Sequence, residues 1–150
     1  MDNPSPEARI ERELLILTRH LDMTAPRRDG RLDRSARVIL SRIEVQGPMS
    51  VADLVDAFGL AASTFTRQTT ALLRDGLVER ILDPAGTIAR KFRITAEGSA
   101  RLAAERDEVT AGLATVLADW SPTRLRRFIS DLERFNTDIE RVTGRPWPRA

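Results

Sequence analysis

The sequence predicts a mainly α-helical fold that carries one small β-hairpin, and three observations lead there. Apolar residues recur at helical spacing in six separate segments, at 6–22, 33–46, 50–58, 62–75, 96–117 and 122–143. Between the fourth and fifth segments, the period shortens to that of strands around the turn-forming run Asp83-Pro84-Ala85-Gly86. Immediately before the hairpin, Phe58-Gly59-Leu60 joins two helical patterns too tightly for anything but a turn.

The elements follow in order. Residues 6–22 place Ile10, Leu14, Leu17 and Leu21 at spacings of four, three and four, and Pro26 ends that helix before the loop Arg27-Arg28-Asp29-Gly30-Arg31. A second helix over 33–46 carries Val38, Ile39, Leu40 and Ile43. Ser50 followed by Asp53 makes a capping-box-like start for a third, with Leu54, Val55 and Phe58 on one face. Gly59 supplies the positive φ of a tight helix exit. The fourth helix runs from about Ala62 to Asp75, stops at Gly76, and buries Phe65, Leu72 and Leu73. Leu77–Leu82 and Arg90–Ile94 are the strands, with Phe92 and Ile94 directed to the core and Lys91 and Arg93 to water. Thr95 caps a long helix through Leu102, Val109, Leu113, Val116 and Leu117. Ser121-Pro122 is an N-cap with proline at the first helical position. The helix it starts carries Leu125, Phe128, Ile129, Leu132, Phe135, Ile139 and Val142 and is ended by Gly144 and Pro146. There is no internal repeat and no low-complexity linker.

Helix, tight turn, helix, hairpin is the order of a winged helix-turn-helix, which sets one helix in a DNA major groove and a hairpin beside it. The chemistry of the fourth helix suits that use. Arg67 and Gln68 can make paired hydrogen bonds to base edges, while the hydroxyls of Ser63, Thr64, Thr66 and Thr70 suit phosphates or either base type. Arg74 extends the cationic side, and the helix carries a carboxylate only at its end, Asp75. An ordinary solvated helix face would look similar in isolation. The hairpin that follows, with Arg90 and Lys91 at the start of its return strand, shifts the weight toward nucleic acid, because such cations lie along phosphates or reach the minor groove.

Composition narrows the classes further. The 150 residues make one domain-sized unit without cysteine, so neither a disulfide framework nor a thiol switch is available. A single histidine, His20, makes a zinc site improbable, and no metal or cofactor is expected. No run is long enough to span a membrane and the start is acidic and polar, so a cytoplasmic protein is expected. Enzyme chemistry finds no Gly-rich phosphate loop and no nucleophile–histidine pairing. The high isoelectric point says little, since one lysine and the absence of cysteine and tyrosine leave almost nothing to titrate between the N-terminal amine and about 10. Distribution says more: the net charge is +2 overall, yet residues 61–94 alone carry +3.

Several runs resemble the MarR family of multiple-antibiotic-resistance-type regulators: Leu32-Asp33-Arg34-Ser35, Gly47-Pro48, Leu54, Ser63-Thr64-Phe65-Thr66-Arg67, Leu72, Gly76-Leu77-Val78-Glu79-Arg80, Asp83-Pro84 and Ile94-Thr95-Ala96-Glu97-Gly98. The spacing of the last three is the specific part, and with the flanking helices the similarity covers most of the chain. The resemblance implies a homodimer on a pseudo-palindromic double-stranded DNA operator. It also implies affinity altered in some members by a small-molecule effector seated between the dimerisation helices and the DNA lobe. Trp120 and Trp147 are read as core or surface fillers rather than as parts of such a site. On this reading 1–150 is a single MarR-like domain, 47–95 is the DNA-binding lobe, and 6–46 with 96–143 form the helical dimerisation region. The apolar stripe of the last helix is expected to pack against a second protomer. The family's wing follows Asp-Pro with an Asp-Arg-Arg-like tip; this chain has Ala85-Gly86-Thr87-Ile88-Ala89 there, so either Arg90 substitutes or the helix carries more of the binding. The competing reading is a winged helix that binds protein partners and no DNA.

Overall fold

The computed structural model describes residues 4–23, 32–86 and 90–149. Pro26 with the expected loop Arg27–Arg31, the wing residues Thr87, Ile88 and Ala89, and the side chain of Leu21 lie outside the described residues. The chain divides into two compact units, Met1–Arg31 and Leu32–Ala150. The first contains helix α1 (Pro6–Met23), which Ser5 starts by accepting the Ala8 amide at 3.3 Å. Its Ile10, Leu14 and Leu17 are all exposed.

The second unit opens with α2 (Arg34–Gln46), where Asp33 accepts the Ala36 amide at 2.7 Å as N-cap. Ile39, Leu40 and Ile43 are buried, but Val38 is exposed. Successive helical residues are turned by about 100°, so Val38, Ile39 and Leu40 cannot all face one core. Helix α3 (Val51–Phe58) begins with a complete capping box, Ser50 Oγ accepting the Asp53 amide at 3.1 Å and Asp53 accepting the Ser50 amide at 2.8 Å. Gly59 closes it at φ +70°, the left-handed geometry that turns the chain into α4 (Ala62–Arg74).

Strands β1 (Val78–Leu82) and β2 (Arg90–Ile94) pair antiparallel, with Arg80 opposite Phe92 and Leu82 opposite Arg90. Leu77, expected within the strand, instead donates its amide to the Leu72 carbonyl at 2.9 Å and finishes the α4 exit. Met49 adds a bridge to Phe92 through two backbone bonds of 2.8 and 3.1 Å. A single paired residue has no periodicity, which is why the sequence pattern did not announce it.

Helix α5 (Ala96–Val116) is capped by Thr95, whose hydroxyl accepts the Gly98 amide at 3.0 Å and donates to the Gly76 carbonyl at 2.7 Å. A Cβ at Gly98 would fall on the Leu77 carbonyl oxygen, so only glycine lets α5 leave this close to the hairpin. Helix α6 (Pro122–Thr143) starts as expected, with Ser121 Oγ accepting the Arg124 amide at 3.2 Å and Pro122 in the first turn.

The core lies where α2, α3, α4, the hairpin and the first turns of α5 converge. Leu40, Ile43, Met49, Leu54, Phe65, Leu72, Leu77, Phe92 and Leu102 fill it. Beyond Glu105, α5 leaves the core: Leu113 and Val116 are exposed, and α6 buries no residue at all. Among the described residues, no helix is long and apolar enough to cross a membrane.

Candidate nucleic-acid interface

The face α4 offers to solvent is set by what its other face buries. Phe65, Thr69 and Leu72 are spaced by four and three, and each is 2% exposed. Thr69 was not anticipated as a core residue. Its hydroxyl donates to the Phe65 carbonyl at 2.7 Å, which satisfies the polar atom and lets the rest of the side chain pack. With that stripe held inside, Ser63, Thr66, Arg67, Thr70 and Arg74 project into solvent, and Thr64 and Gln68 sit half-buried at the margins.

Their hydrogen bonds sort these candidates chemically. Thr66 donates to the Ala62 carbonyl at 3.0 Å and Thr70 to the Thr66 carbonyl at 2.7 Å. Each hydroxyl has thereby committed its proton, and toward an incoming group it presents an acceptor. Arg74 pairs with its neighbour Asp75 at 3.1 Å. Arg67 and Gln68 make no side-chain hydrogen bond or ion pair with another described residue, so their donors are available without first breaking anything.

In the wing, Arg93 meets Glu79 directly across the hairpin at 2.8 Å. Lys91 was expected to point to water; instead its ammonium sits 3.4 Å from Asp83 Oδ1 and 3.8 Å from Asp53 Oδ2. The turn that needs Asp83 (which also accepts the Ala85 amide at 3.0 Å) and the cap that needs Asp53 bring two carboxylates to one side of β2, and the long lysine reaches them. Arg90 is exposed at the start of β2 and pairs with no carboxylate among the described residues. Arg80 stacks over the Phe92 ring at 5.8 Å, also without a carboxylate.

A consequence for the charge follows. Residues 61–94 hold six cations and three carboxylates, and the carboxylates are taken up by Arg74, Arg93 and Lys91. The excess of +3 therefore resides on Arg67, Arg80 and Arg90. Arg80 is a cation that the sequence reading did not single out as a candidate; its signal was its place among the lobe's six cations.

A cleft of about 600 Å³ lies between α3 and α6, lined among others by Phe58, Ile139, Glu140 and Trp147. Trp147 thus lines a cleft as well as packing on Phe58, whereas Trp120 packs edge-on against Phe128 with centroids 5.3 Å apart.

Comparison with known proteins gives this geometry its context. The MarR family model matches residues 32–85, from the α2 cap to the wing turn. An HTH-type transcriptional regulator of Bacillus subtilis, YxaD, itself uncharacterised, is 32% identical over 139 residues, which is 91% of this chain and 96% of that protein. The chain belongs to the MarR family. Solved structures agree on the fold. A MarR family protein from Bacillus stearothermophilus superposes with a TM-score of 0.75 at 21% identity, covering 93% of this chain and 99% of that one. BpsR of Bordetella bronchiseptica, described in terms of regulation of its DNA binding by 6-hydroxynicotinic acid, gives 0.65 at 18% identity, covering 87% and 92%. As a MarR family member, the protein is a DNA-binding transcriptional regulator, which decides against the protein-only interaction module. The members of the family are regulators of transcription, not enzymes.

Proposed function

We propose that this MarR family regulator works as a homodimer on a pseudo-palindromic double-stranded operator, each protomer setting α4 in a major groove with its wing alongside. The observation that carries the reading is Arg67, exposed, and Gln68, at its margin, both unpaired among the described residues on a helix whose opposite face is locked into the core. Arg67 and Gln68 read base edges; Ser63, Thr64, Thr66 and Thr70 meet bases or phosphates at close range, and Arg74 lies along the backbone. On the wing, Arg90, exposed and without a carboxylate partner among the described residues, is the main contact, and Lys91, held between Asp83 and Asp53, adds a weaker phosphate contact.

The lobe at 47–95 reads DNA, and the helices at 6–46 and 96–143 form the dimerisation region of a single MarR-like domain. Support for the dimer comes from α6, whose Phe128, Leu132, Phe135 and Ile139 share a face and all stay exposed in the single chain. A second copy supplies the missing surface and a second half-site about one helical turn away. The cleft between α3 and α6 suits a small effector, as the ligand-regulated DNA binding of BpsR suggests by analogy. The protein then acts in the cytoplasm, where the DNA is.

Selection of genomic fragments by the purified protein, followed by titration against salt, tests this. A palindromic site with a steep salt dependence is the expected result. Equal binding to all duplexes, or none, would refute it.

A further inference from the structure

Past α6 the chain turns at Gly144 and runs back over the DNA lobe, and Arg42 is what it covers. Arg42 is 8% exposed on α2, a charged side chain that the fold takes almost wholly out of water. Its Nε donates to Gln46 Oε1 at 2.7 Å, and its Nη1 donates to the Pro146 carbonyl at 3.0 Å, across 104 residues of sequence. The guanidinium also lies 5.2 Å from the Trp147 ring. A buried cation tolerates desolvation only where such partners surround it, so the returning segment is what makes this position habitable for arginine.

Two further contacts fasten the same segment at either side. Arg149 grips Glu140 of α6 through both terminal guanidinium nitrogens, Nη1 and Nη2, at 2.9 and 2.5 Å, the bidentate geometry that fixes orientation as well as distance. Arg145 lies flat on Gly59, so close that a Cβ there would come within 2.5 Å of the guanidinium carbon. Trp147 meets the Phe58 ring edge-on at 6.0 Å, and Phe58 in turn meets Phe65 at 5.6 Å. Phe65 is the anchor of the reading helix α4. An unbroken line of contacts therefore runs from Glu140 on α6, through Arg149 and Trp147, to Phe58 and the seat of α4. Few other contacts join α6 to the lobe, since α6 buries no residue.

We propose that Arg145–Arg149 is a clasp that sets the angle between α6 and the reading helix, making Trp147 a positioning residue that determines which half-site separation the dimer accepts. This rests on the dimer reading above, in which α6 carries the two-fold interface. With α6 fixed to its partner, the clasp decides where each α4 points. One inserted base pair rotates the second half-site by roughly 35°, which a rigid dimer cannot follow and a loosely hinged one can.

The test uses the full chain and a set of operator duplexes whose half-sites are separated by one or two base pairs more or fewer. Sedimentation first establishes the mass of the wild type and of Trp147→Ala, Trp147→Phe and Arg149→Leu. The wild type is expected to lose roughly tenfold or more in affinity per added base pair, the scale of a misplaced specific contact. Trp147→Ala, still dimeric and still binding non-specific DNA as the wild type does, should flatten that preference to within about threefold, and Trp147→Phe should restore most of it. Arg149→Leu cuts the link to α6 without touching the aromatic contacts and should flatten the preference too, which covers the case of a Trp147→Ala chain that fails to fold. A dimeric wild type whose two variants keep the full spacing preference overturns the clasp alone. A monomeric wild type overturns the dimer reading and the clasp's role with it.

Discussion

Phe135→Asp tests the dimer most directly, because its effect can be sized from exposure. Phe128, Leu132, Phe135 and Ile139 are 46, 45, 39 and 45% exposed, so a little under half of each side chain remains to be covered. Full burial of such a side chain is worth about 1.5–3 kcal/mol, which leaves roughly 1 kcal/mol apiece and about 8 kcal/mol for the two symmetric stripes. Association costs about 4–15 kcal/mol in lost freedom, so the stripe lies within the range of what a dimer needs. Phe135→Asp forfeits about 1 kcal/mol per protomer and asks two carboxylates to be desolvated at several kcal/mol each. The combined loss of roughly 6 kcal/mol or more weakens association by about four orders of magnitude. Because that ring is not part of the buried core, the isolated protomer should keep its helical circular dichroism while its mass halves. Operator binding should then collapse, one lobe retaining one half-site. A variant that stays dimeric at micromolar concentration refutes the reasoning. Early melting at unchanged mass would instead place the stripe in the chain's own core.

Three further outcomes are expected. If Arg67 pairs with a base edge, Arg67→Ala should cost about 1–3 kcal/mol of operator affinity with an unchanged melting curve, and wild-type affinity in the variant would remove it from the site. In the wing, Arg90→Ala should weaken binding and reduce the preference for A·T pairs beside the half-site, whereas Lys91→Ala should weaken all sequences alike and lower the salt slope by about one unit or less; equal, sequence-independent losses would make the whole wing a phosphate contact. Gly98→Ala drives a methyl group into the Leu77 carbonyl and should lower stability by about 1–3 kcal/mol, read as a lower melting temperature, and an unshifted transition would mean that α5 leaves the hairpin with more room than the structure gives it.

The clasp also has a pH signature. Arg149 holds the Glu140 carboxyl below the usual carboxylate range, chiefly through their hydrogen bonds. A carboxyl whose pKa is lower folded than unfolded contributes stability above its unfolded value and loses that contribution as pH falls through the folded one. Trp147 fluorescence, followed in a Trp120→Phe background, should therefore stay constant at neutral pH and change only in acid, below the ordinary glutamate range. A transition near neutrality would contradict this pairing.

Some of this architecture could be read from local chemistry alone. The Ser50–Asp53 capping box, Thr95 and Ser121 as caps, and Gly59 as the helix exit are decided within four residues of chain, and each stands where the pattern placed it. The polar side of α4 was legible because Phe65 and Leu72 fix the helix's rotation wherever the core lies. Lys91 and Arg42 were not. Alternation sends Lys91 outward, and only the convergence of the wing turn with the α3 cap brings two carboxylates within its reach. Arg42 reads as one more surface cation of an amphipathic helix until Pro146 and Trp147 arrive from a hundred residues away.

By itself the sequence determined the elements, their order, and the face of α4 that stays in solvent, since periodicity, capping and turn chemistry act over the span of one helix turn. Which charges remain for a phosphate was decided by tertiary structure: three of the lobe's six cations are spent on carboxylates, one pairing made between neighbours, one across the hairpin and one at its turn, leaving Arg67, Arg80 and Arg90. Coulomb energy depends on distance in space, and distance in space is what a linear pattern does not carry.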